Sequence, residues 1–298
     1  TNIFLYIKVL KLYILFIISL IMKGFINIGN TCYLNSGLQM LLNIPEFCKM
    51  IIKNKRISKN MKYISKFIET YNNDQIGSIS PIEIKKMLEE RNDIFEGTQQ
   101  QDSAEFLIFF FDLIDSDIKN NILYNNFGIN TTTITKCKIL NCLNVSTYNE
   151  NRLFLILDIN ENFNTLDDCY RNYKLREKLD GDNKYYCEKC KKKRIASKRT
   201  EINKWPKNII INLKRFEQTM YGSRKNDQEI ECPYDWRHGY KLVGGVYHSG
   251  GLNSGHYIYF GKKKHSWYYI SDSNISEVGI SKINQIKDNA YLLHYRLE

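Results

Sequence analysis

Proline and glycine are both scarce, 4 and 16 in 298 residues, which excludes a collagen-like repeat, a Pro-rich rod and a Gly/Ser linker. No internal repeat of fixed period runs through the chain, so solenoids and propellers are excluded as well. Carboxylates are outnumbered, 32 against 43 Lys and Arg, which leaves a formal charge of +11. Histidine is limited to five, so an imidazole doing chemistry has few candidates. What the chain has in quantity is apolar and aromatic mass, 43% and 13% of residues, far more than an unfolded polymer carries and enough for a sizeable core. This is a globular protein.

The positive charge admits a nucleic-acid or anionic-membrane partner. Lys, Asn, Ile and Tyr recur in every part of the sequence, turns included, and the basic runs Lys53 to Lys62 and Lys189 to Arg199 are not interleaved with the aromatics that a base-stacking surface needs. A solvated basic surface without a nucleic-acid partner is the better reading, and a membrane- or nucleic-acid-binding protein stays as a rival of a different class. The eight cysteines are Cys32, Cys48, Cys137, Cys142, Cys169, Cys187, Cys190 and Cys232. An even number permits disulfides, but a chain this long does not depend on them, and Cys187 with Cys190 form a CxxC knuckle better suited to metal. A reducing compartment, cytoplasm or nucleus, follows.

Residues Ile3 to Met22 form an apolar stretch about as long as the roughly 20 residues that span a bilayer. Lys8 and Lys11 sit inside it, each costing roughly 2.5 to 3.5 kcal/mol at a helix centre. The chain begins with Thr1, so residues 1–21 read first as an upstream extension of the frame ahead of an initiator at Met22. They read second as a weak membrane anchor, with the rest of the protein facing the cytosol. A cleaved secretory signal would deliver a cysteine-rich protein to an oxidising lumen.

From Thr31 to about Ile118 the periodicity is helical: Leu34, Leu38, Leu41 and Leu42 share one face, as do Phe106, Phe109, Phe110 and Leu113. From about Thr131 onward short strand-like runs take over, at Arg152 to Ile159, Asn208 to Phe216, Tyr240 to His248, His256 to Gly261, Ser266 to Ser271 and Ala290 to Arg296. The class is α+β, a helical half followed by a largely antiparallel sheet.

The segment GFINIGNTCYLNSGLQMLL puts Cys32 just after a Gly-Asn-Thr turn, in the first turn of the first helix. Open N–H groups and the helix dipole favour an anion there, which would lower the thiol pKa. Asn27, five residues upstream, carries an amide that could donate to a developing oxyanion. With these neighbours the sequence resembles a ubiquitin-specific protease, a papain-like cysteine deubiquitinase of the ubiquitin carboxyl-terminal hydrolase type. The resemblance covers Gly24 to Glu298 and rests on the Cys box, QQDSAEFL at Gln100 to Leu107, INLKRF at Ile211 to Phe216, HSGGLNSGHYIYF, and the closing AYLLHYR, all in the family's order.

The resemblance implies a papain-like fold with a helical thumb, zinc-ribbon fingers and an antiparallel β palm, residues 22–298 making one catalytic domain. It implies hydrolysis of the isopeptide or peptide bond after ubiquitin's C-terminal glycine by a monomer that takes ubiquitin and ubiquitinated proteins as partners. It selects His256 among the five histidines as the base and lays Tyr257 along the channel for the ubiquitin tail. The third, orienting position is where the sequence departs. WYYISDSNI puts Ser271 where an Asn or Asp usually stands, with Asp272 behind it, and either could orient His256. A neutral serine supports an imidazolium less well, so a catalytically weak, ubiquitin-binding pseudo-protease stands as the alternative.

Cys187 and Cys190 pair with a second cluster, Cys137 and Cys142, at the family's finger position, and four thiolates would close a structural zinc site. Here too the sequence departs, since four residues rather than two separate Cys137 from Cys142. Asp102 and Glu105, a helical turn apart, are candidates for the arginines of the ubiquitin tail, with helix capping as the alternative for Asp102. The segments 218–231 and 249–255 correspond to loops that close over the tail. Cys48, Cys169 and Cys232 read as small buried hydrophobes.

Overall fold

A computed structural model describes residues 22–298 except 74–76, 120, 220–221 and 252–253. The N-terminal stretch read as an extension or an anchor lies outside the described residues, as do parts of the two closing loops. No helix among the described residues is long and apolar enough to cross a membrane.

In chain order the helices are α1 (Cys32–Leu42), α2 (Pro45–Lys53), α3 (Lys59–Tyr71), α4 (Ile82–Glu89), α5 (Ser103–Ile118) and α6 (Ile122–Phe127). Strands β1 (Ile129–Cys137), β2 (Val145–Arg152) and β3 (Phe154–Asp158) lead to α7 (Leu166–Lys174), followed by β4 (Glu177–Leu179), β5 (Tyr185–Cys187) and β6 (Lys192–Arg194). Next come β7 (Ala196–Lys204), β8 (Asn208–Lys214), β9 (Phe216–Thr219), β10 (Gly222–Lys225) and β11 (Asp235–Trp236). The chain closes with β12 (Tyr240–Gly250), β13 (Gly255–Lys263), β14 (Ser266–Ser271), β15 (Asn274–Val278), α8 (Ile280–Lys287) and β16 (Ala290–Leu297). The α+β class expected from the pattern is the one adopted. Two compact units divide the chain, one of the residues up to Ile122 with Val243–His294, the other of Leu123–Leu242 with the last few residues.

In the first unit α1 is enclosed on every side: all of its side chains are buried. Its apolar stripe is interrupted by Gly37, where an added Cβ would come within 2.7 Å of the Phe106 ring. That glycine lets α1 and α5 approach closely. The phenylalanines of α5 that share its apolar face fill the space between, Phe106 and Phe110 being fully buried. Lys85 of α4 is buried and spends its ammonium on Glu89 Oε1 at 2.6 Å, the Gly97 carbonyl at 2.8 Å and the Phe95 carbonyl. It thereby ties α4 to the turn that leads into residues 98–102. The sheet of this unit runs β15-β14-β13-β12-β16, and α1 packs on β13.

The second unit holds an antiparallel sheet of order β2-β1-β7-β4, the hairpin β5-β6, and a parallel pair of β3 with β8. Its apolar support is aromatic, with Tyr170, Trp205, Trp236, Tyr240 and Tyr295 in ring contact. The Arg237 guanidinium lies 4.0 Å over the Tyr170 ring. The β2 strand is exposed over most of its length, so that sheet depends on its backbone ladder and not on a deep core.

Candidate active site

The loop into α1 turns through two left-handed residues, Gly29 (φ 109) and Asn30 (φ 53). Asn27 organises it, its Oδ1 accepting from the Gly29 N–H at 3.2 Å and the Thr31 N–H at 3.1 Å. Thr31 occupies the N-cap position without capping the helix, since its hydroxyl instead accepts from the Ile28 N–H at 3.1 Å. The first-turn N–H groups of α1 are left for other acceptors. The N–H groups of Cys32, Tyr33 and, on β13, Tyr257 act to lower the Cys32 thiol pKa.

Cys32 is 3% exposed. Burial pushes its thiol above the usual value, and the Asp272 charge adds to that rise, against the three N–H groups that oppose it. The helix start alone would favour a thiolate, as expected from the sequence. Desolvation outweighs it, so the thiol calls for a base to take its proton.

His256 stands next to Tyr257 on β13. Its Nε2 is 2.8 Å from Ser271 Oγ and 3.9 Å from Asp272 Oδ2. Ser271 is therefore in hydrogen-bond contact and Asp272 is the nearby charge. The Asp272 carboxylate is itself gripped: Asn27 Nδ2 donates to Oδ2 at 2.9 Å and Asn35 Nδ2 to Oδ1 at 2.7 Å. Asp272 also has a left-handed backbone (φ 52), and its carbonyl accepts from the Phe25 N–H at 2.8 Å. Asn35 was not among the predicted residues. Its signal is a buried carboxamide three residues after Cys32, on a helix that also buries Ser36 and Gln39.

Asp102 caps α5, with Oδ1 accepting from the Ala104 N–H at 2.6 Å and the Glu105 N–H at 3.0 Å. The Tyr291 hydroxyl lies 2.9 and 2.8 Å from its two oxygens and the Tyr257 hydroxyl 3.4 Å from Oδ2. Burial raises its pKa against these donors. Its oxygens are thus already engaged, as the capping alternative supposed, whereas Glu105, one turn on, is exposed. Tyr257 is buried, with its ring 4.5 Å from that of His248.

In the second unit the sulfurs of Cys137, Cys142, Cys187 and Cys190 lie within 4.8 Å of one another. Cys142 is 3.5 Å from Cys187 and 3.3 Å from Cys190, sulfur to sulfur. The longer first knuckle is absorbed by a turn with left-handed Asn141 (φ 64) and Leu143 (φ 53), which throws Leu140 and Leu143 out to 88% and 86% exposure. Burial opposes ionisation of Cys187, yet the N–H groups of Cys190 and Lys189 and the Cys142 thiol hold it at about 7. Four soft donors gathered within 4.8 Å of one another fit a zinc ion.

A thiol at an uncapped helix start, set against a strand whose next imidazole is held by a hydroxyl, makes this a thiol-dependent hydrolase. The ubiquitin carboxyl-terminal hydrolase family model matches residues 23–295, and the chain belongs to that family. Among solved structures it is similar to a chain of the SAGA Ubp8/Sgf11/Sus1/Sgf73 DUB module bound to ubiquitin aldehyde, at 26% identity and a TM-score of 0.77 over 93% of this chain and 70% of that one. A form of that module bound to monoubiquitin matches at 27% identity and a TM-score of 0.77, over 93% and 69%. The yeast SAGA module carrying an Sgf73 mutant gives 26% and 0.77, over 93% and 68%. The protein is a cysteine deubiquitinase.

Proposed function

We propose that Cys32 is the nucleophile, His256 the base, Ser271 the residue that orients it and Asp272 the charge that supports the imidazolium. The observation that carries this is the placement of His256: its Nε2 meets Ser271 Oγ at 2.8 Å and lies 3.9 Å from Asp272 Oδ2, one residue before Tyr257, whose N–H helps to lower the Cys32 thiol pKa. That leaves Nδ1 for the thiol. His256 Nδ1 takes the Cys32 proton as the sulfur attacks the carbonyl of ubiquitin's terminal glycine. The oxyanion is met by the Cys32 N–H and by Asn27, whose amide has a second hydrogen beyond the one given to Asp272. Collapse breaks the C–N bond, the lysine amine departs with the proton from His256, and a thioester remains. A water that gives its proton to His256 hydrolyses the thioester, which frees ubiquitin and restores the thiol.

On this reading the exposed Glu105 meets an arginine of the ubiquitin tail, while Asp102 serves the fold. The four cysteines of the second unit hold one structural zinc, which braces the fingers and takes no part in the chemistry. Ubiquitin and ubiquitinated proteins are the partners, and all eight cysteines are unbridged, which suits action in the cytosol or nucleus.

The test is hydrolysis of a fluorogenic ubiquitin C-terminal substrate by the parent, Ser271→Ala and Asp272→Asn, asparagine being chosen because it tolerates the left-handed backbone. Asp272→Asn is expected to lower kcat about a hundredfold, since it removes the negative charge 3.9 Å from His256 Nε2, and Ser271→Ala about tenfold. Equal activity of all three would remove both residues from the machinery. A folded parent that binds ubiquitin without turnover would make the chain the ubiquitin-binding pseudo-protease instead.

A further inference from the structure

β13 is paired with β12 from Gly244–Gly261 through Gly250–Gly255. On its other side the ladder with β14 runs from Lys263–Ser266 only as far as Tyr259–Ile270. The first residues of β13, from Gly255 to Ile258, present an edge beyond the end of that ladder, and His256 lies within this stretch. One rung of the gap is filled by a side chain. Gln100 Nε2 donates to the Gly255 carbonyl at 2.9 Å, and its Oε1 accepts from the Gly255 N–H at 3.3 Å. A carboxamide that meets both backbone groups of one residue stands in for one rung of a ladder.

Gly255 has no side chain with which to anchor itself, and it cannot acquire one: a Cβ there would lie 2.2 Å from His248 Nε2. Glycine is also the residue with the most backbone freedom to lose, so the strand start that carries His256 depends on an external hold. We propose that Gln100 is a positioning residue for His256, a side-chain rung that fixes the start of β13 so that the imidazole keeps Ser271 on one nitrogen and Cys32 on the other. The proposal rests on the assignment of His256 as the base.

The full chain is assayed on the fluorogenic ubiquitin substrate with Gln100→Ala and with Gln100→Met, which keeps the stem and loses both hydrogen bonds. Misplacing a catalytic group by a fraction of an ångström to 1 Å costs rate and not binding, so both variants are expected to lose about ten- to a hundredfold in kcat with KM within about twofold of the parent. Their unfolding midpoints stay at the parent's value, because Gln100 is exposed. A raised KM at unchanged kcat would mean that Gln100 touches the ubiquitin tail and positions nothing, and unchanged kinetics or a kcat loss that tracks a lowered midpoint would equally overturn the proposal. His256→Ala in the same assay keeps the two readings apart: if it still turns over, the base is misassigned, whatever Gln100 does.

Discussion

Replacing Cys32 by Ala ends hydrolysis of ubiquitin substrates, a fall of more than about 10⁴-fold, and leaves ubiquitin binding in place. Without the sulfur no thioester forms, and the N–H groups at the start of α1 are left to polarise a carbonyl that only water can attack. The fold survives the change because the side chain removed is small and every other side chain of α1 stays buried. A ubiquitin C-terminal probe carrying a thiol-reactive group adds its mass to the parent and not to the variant. The same thiol has a distinct pH signature. Its pKa is raised above 9.0, first by burial, and a raised value means that the neutral form persists to higher pH than in a free cysteine. Alkylation of the free enzyme by a small neutral electrophile is therefore expected to keep rising beyond pH 9. A rate already at its plateau near pH 6 would instead show a resident thiolate–imidazolium pair.

The second large effect is structural. The sheet of the second unit has an exposed edge strand in β2, and the local core around the knuckles consists of Cys137, Cys142 and Cys187 with Tyr185 and Cys190 packed against it. Such a cluster has too little apolar area to hold two knuckles together unaided. Zinc binding by four thiolates supplies an apparent ~10–16 kcal/mol at neutral pH in small metal-dependent folds. Removing zinc with a chelator, or changing Cys187 to Ser, is expected to lower the unfolding midpoint and to release amide protection from β1, β5, β6 and β7, while α1 and β13 stay protected. Metal analysis should return one zinc ion per chain. A parent that carries no metal and melts identically with and without chelator would make the four cysteines a ribbon that has lost its ion.

The helical first half and the strands β3, β8, β12, β13, β14 and β16 were legible because their apolar residues recur at helical or alternating spacing. β1 and β7 were not: INTTTITKC and ASKRTEINK carry threonine and charge where a half-buried strand would alternate, and their pairing with each other supplies the order. α7 was missed inside the strand-like half, though Thr165 and Asp168 form a reciprocal capping box that marks its start. At the site, Cys32 was marked by its place at a helix start, while His256 and the pair Ser271 and Asp272 came from the family resemblance. Asn35 and Gln100 were not legible, because each gains its meaning from a partner far along the chain, Asp272 at a separation of 237 residues and Gly255 at 155. No local pattern encodes such a contact. The Asp102 carboxylate was legible as both a cap and a charge, and only its two tyrosine partners reveal how its oxygens are spent.

The partners of Asp102 also set an order of events during synthesis. Tyr291, the nearer of the two hydroxyls, follows it by 189 residues, and Asp272, which gathers Asn27 and Asn35, follows Asn27 by 245. A ribosome that has released α1 and α5 has exposed the nucleophile long before it has made the base, its orienting serine or the strand that carries Tyr291. Contacts of such long sequence separation form late, so the nascent chain cannot cut ubiquitin conjugates near its own polysome. Proteolytic competence is withheld until the strand that carries Tyr291 has left the tunnel.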